Sequence, residues 1–316
     1  MKILITPTSF LSKENTAARK LIEAFADEVV YNPLKRPLNP EEILPLLEGV
    51  DGYIAGLDYI TSDVVKHAPA VLKAISRYGA GVDRVDIDAA KKKGISVTNT
   101  PGINATAVCE LAFGMMLSLA RSIPELDSAV KHGEWPRKKG IELKGKTLGI
   151  IGFGAIGKKL AVRAKAFEMD VIAYDPYFDA DFAQKEQIKQ GNLDNIIADA
   201  DFISLHVPLT DETKYLINAE RIEQMKAGAF IINTARGGLI DEAAVAKAIE
   251  SGKIGGVGLD AFDVEPVTDS PLMGVPQAIM TPHAGAHTSE AVSAMGMMAV
   301  QNLIEVLEKG SCKNMI

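Results

Sequence analysis

The sequence predicts an α/β protein of two doubly wound parallel-sheet domains, one inserted in the other. Three observations carry this expectation. Short apolar runs alternate with amphipathic stretches along nearly the whole chain, which is the βα rhythm of parallel sheets covered on both faces. A glycine-rich turn of the form G-x-G-x-x-G stands directly after one of those runs, at Gly152, Gly154 and Gly157. The 316 residues are also more than one core of this kind usually needs, which sets a prior of about two domains.

Lys2–Thr6 reads as the first strand, and Asn15–Phe25 as a helix with Ala18, Leu21, Ile22 and Phe25 on one face. Val29–Tyr31, Gly52–Ala55, Lys73–Arg77 and Ile95–Thr98 read as further strands. The helices between them are Pro40–Glu48, with proline near its start, Ser62–His67 and Asp86–Lys93. Gly79, Ala80 and Gly81 form a tight turn after the Lys73–Arg77 strand. This half has no second dinucleotide fingerprint. Its start, Met1–Pro7, breaks its apolar run at once, so a strand is expected there and not a signal peptide.

Thr100–Gly102 is a break. Asn104–Arg121 then reads as one long helix, apolar around most of its circumference, and so buried in the core or at a subunit interface. Pro124–Gly140 reads as polar and irregular; its tryptophan, Trp135, either anchors a dimer or covers the core. From Thr147 the βα units resume. Strands are expected at Thr147–Ile151, Val171–Asp175, Phe202–His206, Ala229–Asn233, Gly256–Asp260 and Ala278–Thr281. Helices are expected near Asn192–Ala198, Ala219–Met225 and Asp241–Ser251, the last with Asp241 as N-cap and Gly252 as its stop. Ser289–Lys309 is a terminal amphipathic helix that returns to the first domain. The expected division is residues 1–99 with 286–316 for one domain and 100–285 for the other.

The glycine turn has a physical reading. The first glycine makes the tight strand-to-helix turn, the second lets a pyrophosphate approach bare backbone, and the third lets helix and strand pack closely. The following helix carries Ile156, Leu160, Ala164 and Phe167 on one face, and its N-terminus, at Ala155 and Ile156, offers amides and a partial positive charge to phosphates. The next strand ends in Asp175, 18 residues beyond Gly157. A carboxylate there accepts both ribose hydroxyls of adenosine and repels a 2′-phosphate. These features together indicate a Rossmann domain that takes NAD in preference to NADP.

Composition narrows the class further. A net charge of −7, with 47% hydrophobic and 24% charged residues, fits a globular protein and argues against nucleic acid or an anionic membrane as partner. The apolar run Leu111–Ala120 is too short to span a bilayer, and a cytoplasmic location is expected. The two cysteines, Cys109 and Cys312, indicate neither a disulfide framework nor a cysteine metal site. His283 and His287 have zinc-like spacing, but Ala284–Ala286 makes a local helix doubtful and no H-E-x-x-H glutamate is present. No metal is expected.

Ligands of open parallel sheets bind beyond the carboxyl ends of the strands. His206, Thr234, Ala235, Arg236, Asp260 and His283 all follow predicted strands. Arg236, followed by two glycines, is placed to hold a carboxylate through two parallel hydrogen bonds or to make a surface ion pair. His283 is a candidate proton donor, since imidazole titrates near neutral pH, or a structural histidine. Glu265 can bond the far imidazole nitrogen and raise its pKa, or sit exposed in its loop.

Several ordered motifs carry a resemblance over essentially the full length. They are Arg77–Asp86, Asn99–Asn104, Gly145–Gly152, His206–Thr210, Asn233–Glu242, Gly258–Pro266 and Thr281–Gly285. The chain resembles the D-isomer-specific 2-hydroxyacid dehydrogenases, in particular the phosphoglycerate dehydrogenase-like branch. The resemblance implies a Rossmann domain inserted in a flavodoxin-like substrate domain. It implies an NAD-dependent oxidoreductase that moves hydride between NADH and a small 2-oxo acid, and a homodimer. Arg236 then binds the substrate carboxylate and polarises the carbonyl, His283 is the general acid, and Glu265 pairs with it. Asp175 holds the adenosine ribose, Ala155 and Ile156 lie at the pyrophosphate, and His206, Thr234, Ala235 and Asp260 complete the cofactor set. Gly79, Ala80 and Gly81 offer backbone N–H groups to the substrate, and domain closure excludes water.

One departure bears on substrate. Phosphoglycerate dehydrogenases usually carry an arginine in the loop after the third strand, facing the phosphate. Here Ala55–Ile60 holds no cation and one acid, Asp58, which points to a smaller acid such as hydroxypyruvate or glyoxylate unless another cation compensates. A chain ending at Ile316 is also expected to lack the C-terminal regulatory domain of long phosphoglycerate dehydrogenases. The alternative function is an NAD-sensing scaffold like the C-terminal-binding co-repressors, which share this fold and do not depend on the catalytic residues.

Overall fold

The computed structural model describes residues 1–316, which divide into two compact units, 1–104 with 286–316 and 105–285. In the first unit, strands β1 (Lys2–Ile5), β2 (Glu28–Tyr31), β3 (Gly52–Ala55), β4 (Ala74–Arg77) and β5 (Ser96–Thr98) form one sheet in the order β2-β1-β3-β4-β5. Every pair is parallel, the doubly wound order of flavodoxin-like sheets. Helices α1 (Thr16–Phe25), α2 (Pro40–Leu46), α3 (Ser62–His67) and α4 (Ile87–Lys93) are the crossovers. The C-terminal helix α12 (Ser289–Lys309) packs on α1, β3 and β4. The sheet is covered on both faces: Leu4, Tyr53, Ile75 and Val97 belong to one apolar cluster and Ile3, Ile5 and Ile54 to another. That double burial is why the strands read as unbroken apolar runs with no polar alternation.

Beyond α5 (Ala105–Ala120) and α6 (Ile123–Lys131), the second unit carries β6 (Thr147–Ile151), α7 (Ala155–Ala166), β7 (Asp170–Tyr174), α8 (Ala180–Lys185) and β8 (Lys189–Gln190). It continues with α9 (Leu193–Asp199), β9 (Phe202–Leu205), α10 (Ala219–Gln224), β10 (Ala229–Asn233), α11 (Glu242–Glu250), β11 (Ile254–Leu259) and β12 (Ala278–Met280). The sheet order is β12-β11-β10-β9-β6-β7-β8, again all parallel. Strand order reverses between β6 and β9, which is the switch point where dinucleotides bind in doubly wound sheets.

The structure corrects the sequence reading in three places. Pro124–Gly140 is irregular only in its second half, because α6 spans Ile123–Lys131. Proline lies in its first turn, where it has no amide to lose, and Glu125 suits the positive end of the helix. None of its residues is buried, so the apolar stripe that flags a helix is weak. The sheet also has seven strands where six were expected. The extra one, β8, is two exposed polar residues at an edge, too short for an apolar run and of the charged kind that protects an edge. The short helix α8 was likewise unread; Asp179 caps it by accepting the Phe182 amide at 3.1 Å.

Helix α5 packs on α7, β10 and β11 of its own unit, with Val108, Ala112, Met115, Met116 and Leu119 buried. Its apolar excess therefore serves the core. No single helix is long and apolar enough to cross a membrane.

Candidate active site

The turn from β6 into α7 is built by steric necessity. Gly152 has φ +101°, and a Cβ there would lie 2.5 Å from the carbonyl carbon and oxygen of His206. At Gly157 a Cβ would come within 2.2 Å of the Gly152 carbonyl oxygen. Gly154 caps α7 and has nothing within 4 Å of its would-be Cβ, so the space over the helix N-terminus is open. The first turn of α7, at Ala155 and Ile156, holds no acid. Bare amides and the helix dipole face this space, as a pyrophosphate requires.

Asp175 follows β7. Its Oδ2 accepts the Phe153 amide at 2.7 Å and its Oδ1 the Tyr177 amide at 2.8 Å. The carboxylate is thus held beside the glycine turn, where it can accept ribose hydroxyls and repel a phosphate in their place.

His206 follows β9. Its Nε2 meets Ser204 Oγ at 2.9 Å, while Nδ1 is buried without a hydrogen-bond partner. Burial pushes its pKa down to about 4, so the ring is neutral at physiological pH. Thr234 Oγ1, just past β10, is also buried and unpartnered. Buried polar atoms are nearly always satisfied, and two orphans along the carboxyl edge of one sheet mark where a polar ligand completes the fold. A dinucleotide fits this edge: the helix N-terminus at Gly154 is open, Asp175 presents a carboxylate beside it, and the two unpartnered atoms stand on the same edge.

The remaining candidates sit past β10, β11 and β12, three adjacent strands whose carboxyl ends share one edge. At a spacing of about 4.8 Å per strand, the outer two ends lie roughly 10 Å apart. Arg236 is half-buried, and its local backbone is stapled by Asn233. Asn233 Nδ2 donates to the Arg236 carbonyl at 2.6 Å, and Oδ1 accepts the Ala235 amide at 3.0 Å. Arg236 Nη1 donates to the Ala235 carbonyl at 2.7 Å.

His283 has a left-handed backbone, φ +52°. Its Nδ1 lies 3.0 and 3.1 Å from the two carboxylate oxygens of Glu265. Glu265 Oε1 also accepts the Phe262 amide at 3.2 Å, so it is neither a free nor a solvated loop acid. With Nδ1–H donated to the carboxylate, Nε2 is the nitrogen left for proton exchange. Asp260 is 2% exposed, and both its oxygens bond the turn that carries His283.

In the first unit, Gly79, Ala80 and Gly81 follow β4. The Gly79 carbonyl accepts the Thr100 amide at 3.0 Å and the Ala80 carbonyl accepts Asn99 Nδ2 at 2.8 Å. The loop after β3 differs from its sequence reading. Asp58 does not project from it: the residue is 1% exposed and accepts from Gly56 N, Leu38 N, Tyr53 Oη and Thr6 Oγ1. A cation does reach the loop, from the turn after β4. Arg84 Nη1 donates to the Leu57 carbonyl at 2.8 Å, and its guanidinium lies 4.6 Å from the centre of the Tyr59 ring. The two loops are zipped by Ile60 N to Arg84 O and Asp86 N to Ile60 O, both at 2.9 Å. Sequence reasoning missed Asn233 and Arg84; an asparagine at a strand end before a glycine-rich turn was the available signal for the first.

Fold and edge together define a dinucleotide-binding class of protein, and comparison with known proteins gives it a name. Residues 113–285 match the NAD-binding domain of the D-isomer-specific 2-hydroxyacid dehydrogenases, and the chain belongs to that family, in its phosphoglycerate dehydrogenase-like branch. The second unit is accordingly an NAD-binding Rossmann domain.

Among its relatives, a D-3-phosphoglycerate dehydrogenase of Methanocaldococcus jannaschii is 44% identical over 283 residues, 88% of this chain and 54% of the relative. The chain thus spans about half that protein's length. A hydroxypyruvate reductase of Thermotoga maritima is also 44% identical, over 279 residues that are 85% of this chain and 89% of the relative. Among solved structures, a D-lactate dehydrogenase of Aquifex aeolicus in complex with NAD and lactic acid superposes with a TM-score of 0.83. It is 29% identical, and the match covers 98% of this chain and 96% of that one.

Proposed function

We propose that this chain is an NAD-dependent D-2-hydroxyacid dehydrogenase acting between NADH and a small 2-oxo acid. The observation that carries the reading is the His283–Glu265 pair, set on the same sheet edge as Arg236 in an NAD-binding domain. Arg236 holds the substrate carboxylate through its planar fork and places positive charge beside the carbonyl. His283 delivers a proton from Nε2 to the carbonyl oxygen as negative charge develops there, and removes it in the reverse direction. Glu265 fixes the tautomer and orientation of the ring by accepting at Nδ1. Bound NADH supplies the hydride to C2. Gly154, Ala155, Ile156 and Asp175 hold its phosphates and adenosine ribose, with His206, Thr234 and Ala235 toward the other end.

The sequence argument against a phosphorylated acid rests on the loop at Ala55–Ile60, where Asp58 is folded inward and Arg84 lies against the loop. With the acid turned inward and a guanidinium against the loop, that argument against an anionic C3 substituent falls away. Phosphohydroxypyruvate therefore belongs beside hydroxypyruvate and glyoxylate in the test. Steady-state NADH oxidation with those three acids is expected to show turnover with at least one, and NADPH should serve less well. No turnover with any of them would end the proposal. The co-repressor-like alternative has no observation in its favour.

A cytoplasmic homodimer completes the proposal. The apolar residues of α5 are packed within its own unit, and we place the partner surface on the next segment. There Ile123 and Val130 are half exposed and Trp135 is 79% exposed. Light scattering at micromolar concentration should give twice the 33.8 kDa chain mass, and Trp135→Lys together with Val130→Glu should reduce it to one. A monomeric mass for the unaltered chain would exclude the dimer.

A further inference from the structure

We propose that Asp179 is a second determinant of cofactor choice, disfavouring the 2′-phosphate of NADP by holding Lys158 away from it. This rests on the reading that places the adenosine ribose at Asp175, and deepens it. Residues 175–179, between β7 and α8, hold two acids and no base. Lys158 faces them from one turn into α7, where its amide bonds the Gly154 carbonyl at 3.0 Å. Its Nζ lies 2.5 Å from Asp179 Oδ2 and 5.3 Å from the centre of the Phe182 ring. That ring meets Phe153 edge-on at 5.8 Å, and Phe153 stacks on Phe178 at 5.0 Å. The Phe153 amide in turn holds Asp175. One residue of the glycine turn therefore links the ribose carboxylate to the aromatic platform under the ammonium.

A phosphate monoester carries about −1.5 to −2 charges at neutral pH, and sites that take NADP set a cation beside it. Lys158 is the cation available on this flank, and its flexible four-carbon stem would let it swing to such a group. Asp179 prevents that by pairing with it. The fold does not require the pair. Asp179 caps α8 through its other oxygen, Oδ1, which accepts the Phe182 amide at 3.1 Å. The two paired side chains are 27% and 39% exposed, and ion pairs that open to water contribute little to stability. The acids thus divide one task. Asp175 stands where a 2′-phosphate would have to stand, and Asp179 withholds the lysine that would answer its charge.

The test is calorimetry on the full chain, direct for NADH and by displacement of bound NADH for NADPH. No 2-oxo acid is needed, so a failure of turnover would count against the functional reading and leave these affinities decisive. Asp179→Asn keeps the α8 cap, because asparagine caps a helix as well as aspartate does. The expected result is an NADPH Kd lowered by about threefold to tenfold, the effect of one partly exposed charge pair. The NADH Kd should stay within about twofold of its original value, since NADH brings no added charge. Adding Lys158→Ala to Asp179→Asn should abolish the gain, and high salt should shrink it. Asp179→Ser also keeps a capping oxygen and decides the matter if the asparagine form does not fold. An unchanged NADPH Kd in a folded variant would overturn the proposal. A gain that survives Lys158→Ala, or one shared equally by NADH, would overturn it as well.

Discussion

Replacing His283 with alanine is expected to lower kcat for 2-oxo acid reduction by about 10²–10⁴-fold, the range that a positioned general acid contributes. The loss should fall on kcat and kcat/KM together, because the proton is needed as the carbonyl becomes an alkoxide and not when the substrate docks. NADH affinity should hold, since the ring lies past β12 while the proposed phosphate and ribose contacts lie past β6 and β7. Glu265→Gln should reproduce part of the effect. It keeps the shape beside Nδ1, which the carboxylate now meets at 3.0 Å, but removes the charge that stabilises the imidazolium. Single-turnover kinetics at saturating NADH measure this directly, and a loss of less than tenfold in His283→Ala would remove His283 from the mechanism.

The second large effect is expected at Arg236. Two charge-assisted hydrogen bonds to a substrate carboxylate, each contributing about 1.5–3 kcal/mol, correspond to a loss of roughly 10²–10⁴ in kcat/KM for Arg236→Ala. Lysine should recover only a small part, because it restores the charge without the fork. The loss should appear at both KM and kcat if, as proposed, Arg236 contacts the carboxylate in the ground state and the carbonyl charge later. The Asn233 staple, at 2.6 and 3.0 Å to the neighbouring backbone, holds this arginine's backbone before substrate arrives. The comparison is of kcat/KM with the best acid of the panel. An Arg236→Ala enzyme within tenfold of the original would show that the carboxylate is held elsewhere.

These residues were legible in the sequence for a shared reason. Interior parallel strands must be apolar on both faces, so Phe202–Leu205 and Ala229–Asn233 stand out as unbroken runs. A polar residue immediately after such a run lands on the ligand edge. The same logic is blind to what lacks a core-facing stripe, and α6 and the polar edge strand β8 were lost that way. It is also blind to where a loop side chain points. Asp58 looked like an outward acid, yet four donors turn it into the fold. Arg84 lies on a different loop from Leu57, and only the ladder between Ile60 and Val85 brings it there. Asp260 could be placed on the edge from sequence, but its attachment to the His283 turn depends on amide directions that no residue pattern records.

Trp135 gives the chain one optical property. It is the sole tryptophan, so ultraviolet emission excited at long wavelength reports from a single point in the molecule. At 79% exposure that indole is bathed in water and should emit far to the red. Any surface that settles over it will move the maximum toward the blue and shield it from acrylamide. If the proposed partner surface covers Trp135, dilution of the native protein followed by emission spectra alone titrates assembly without a label.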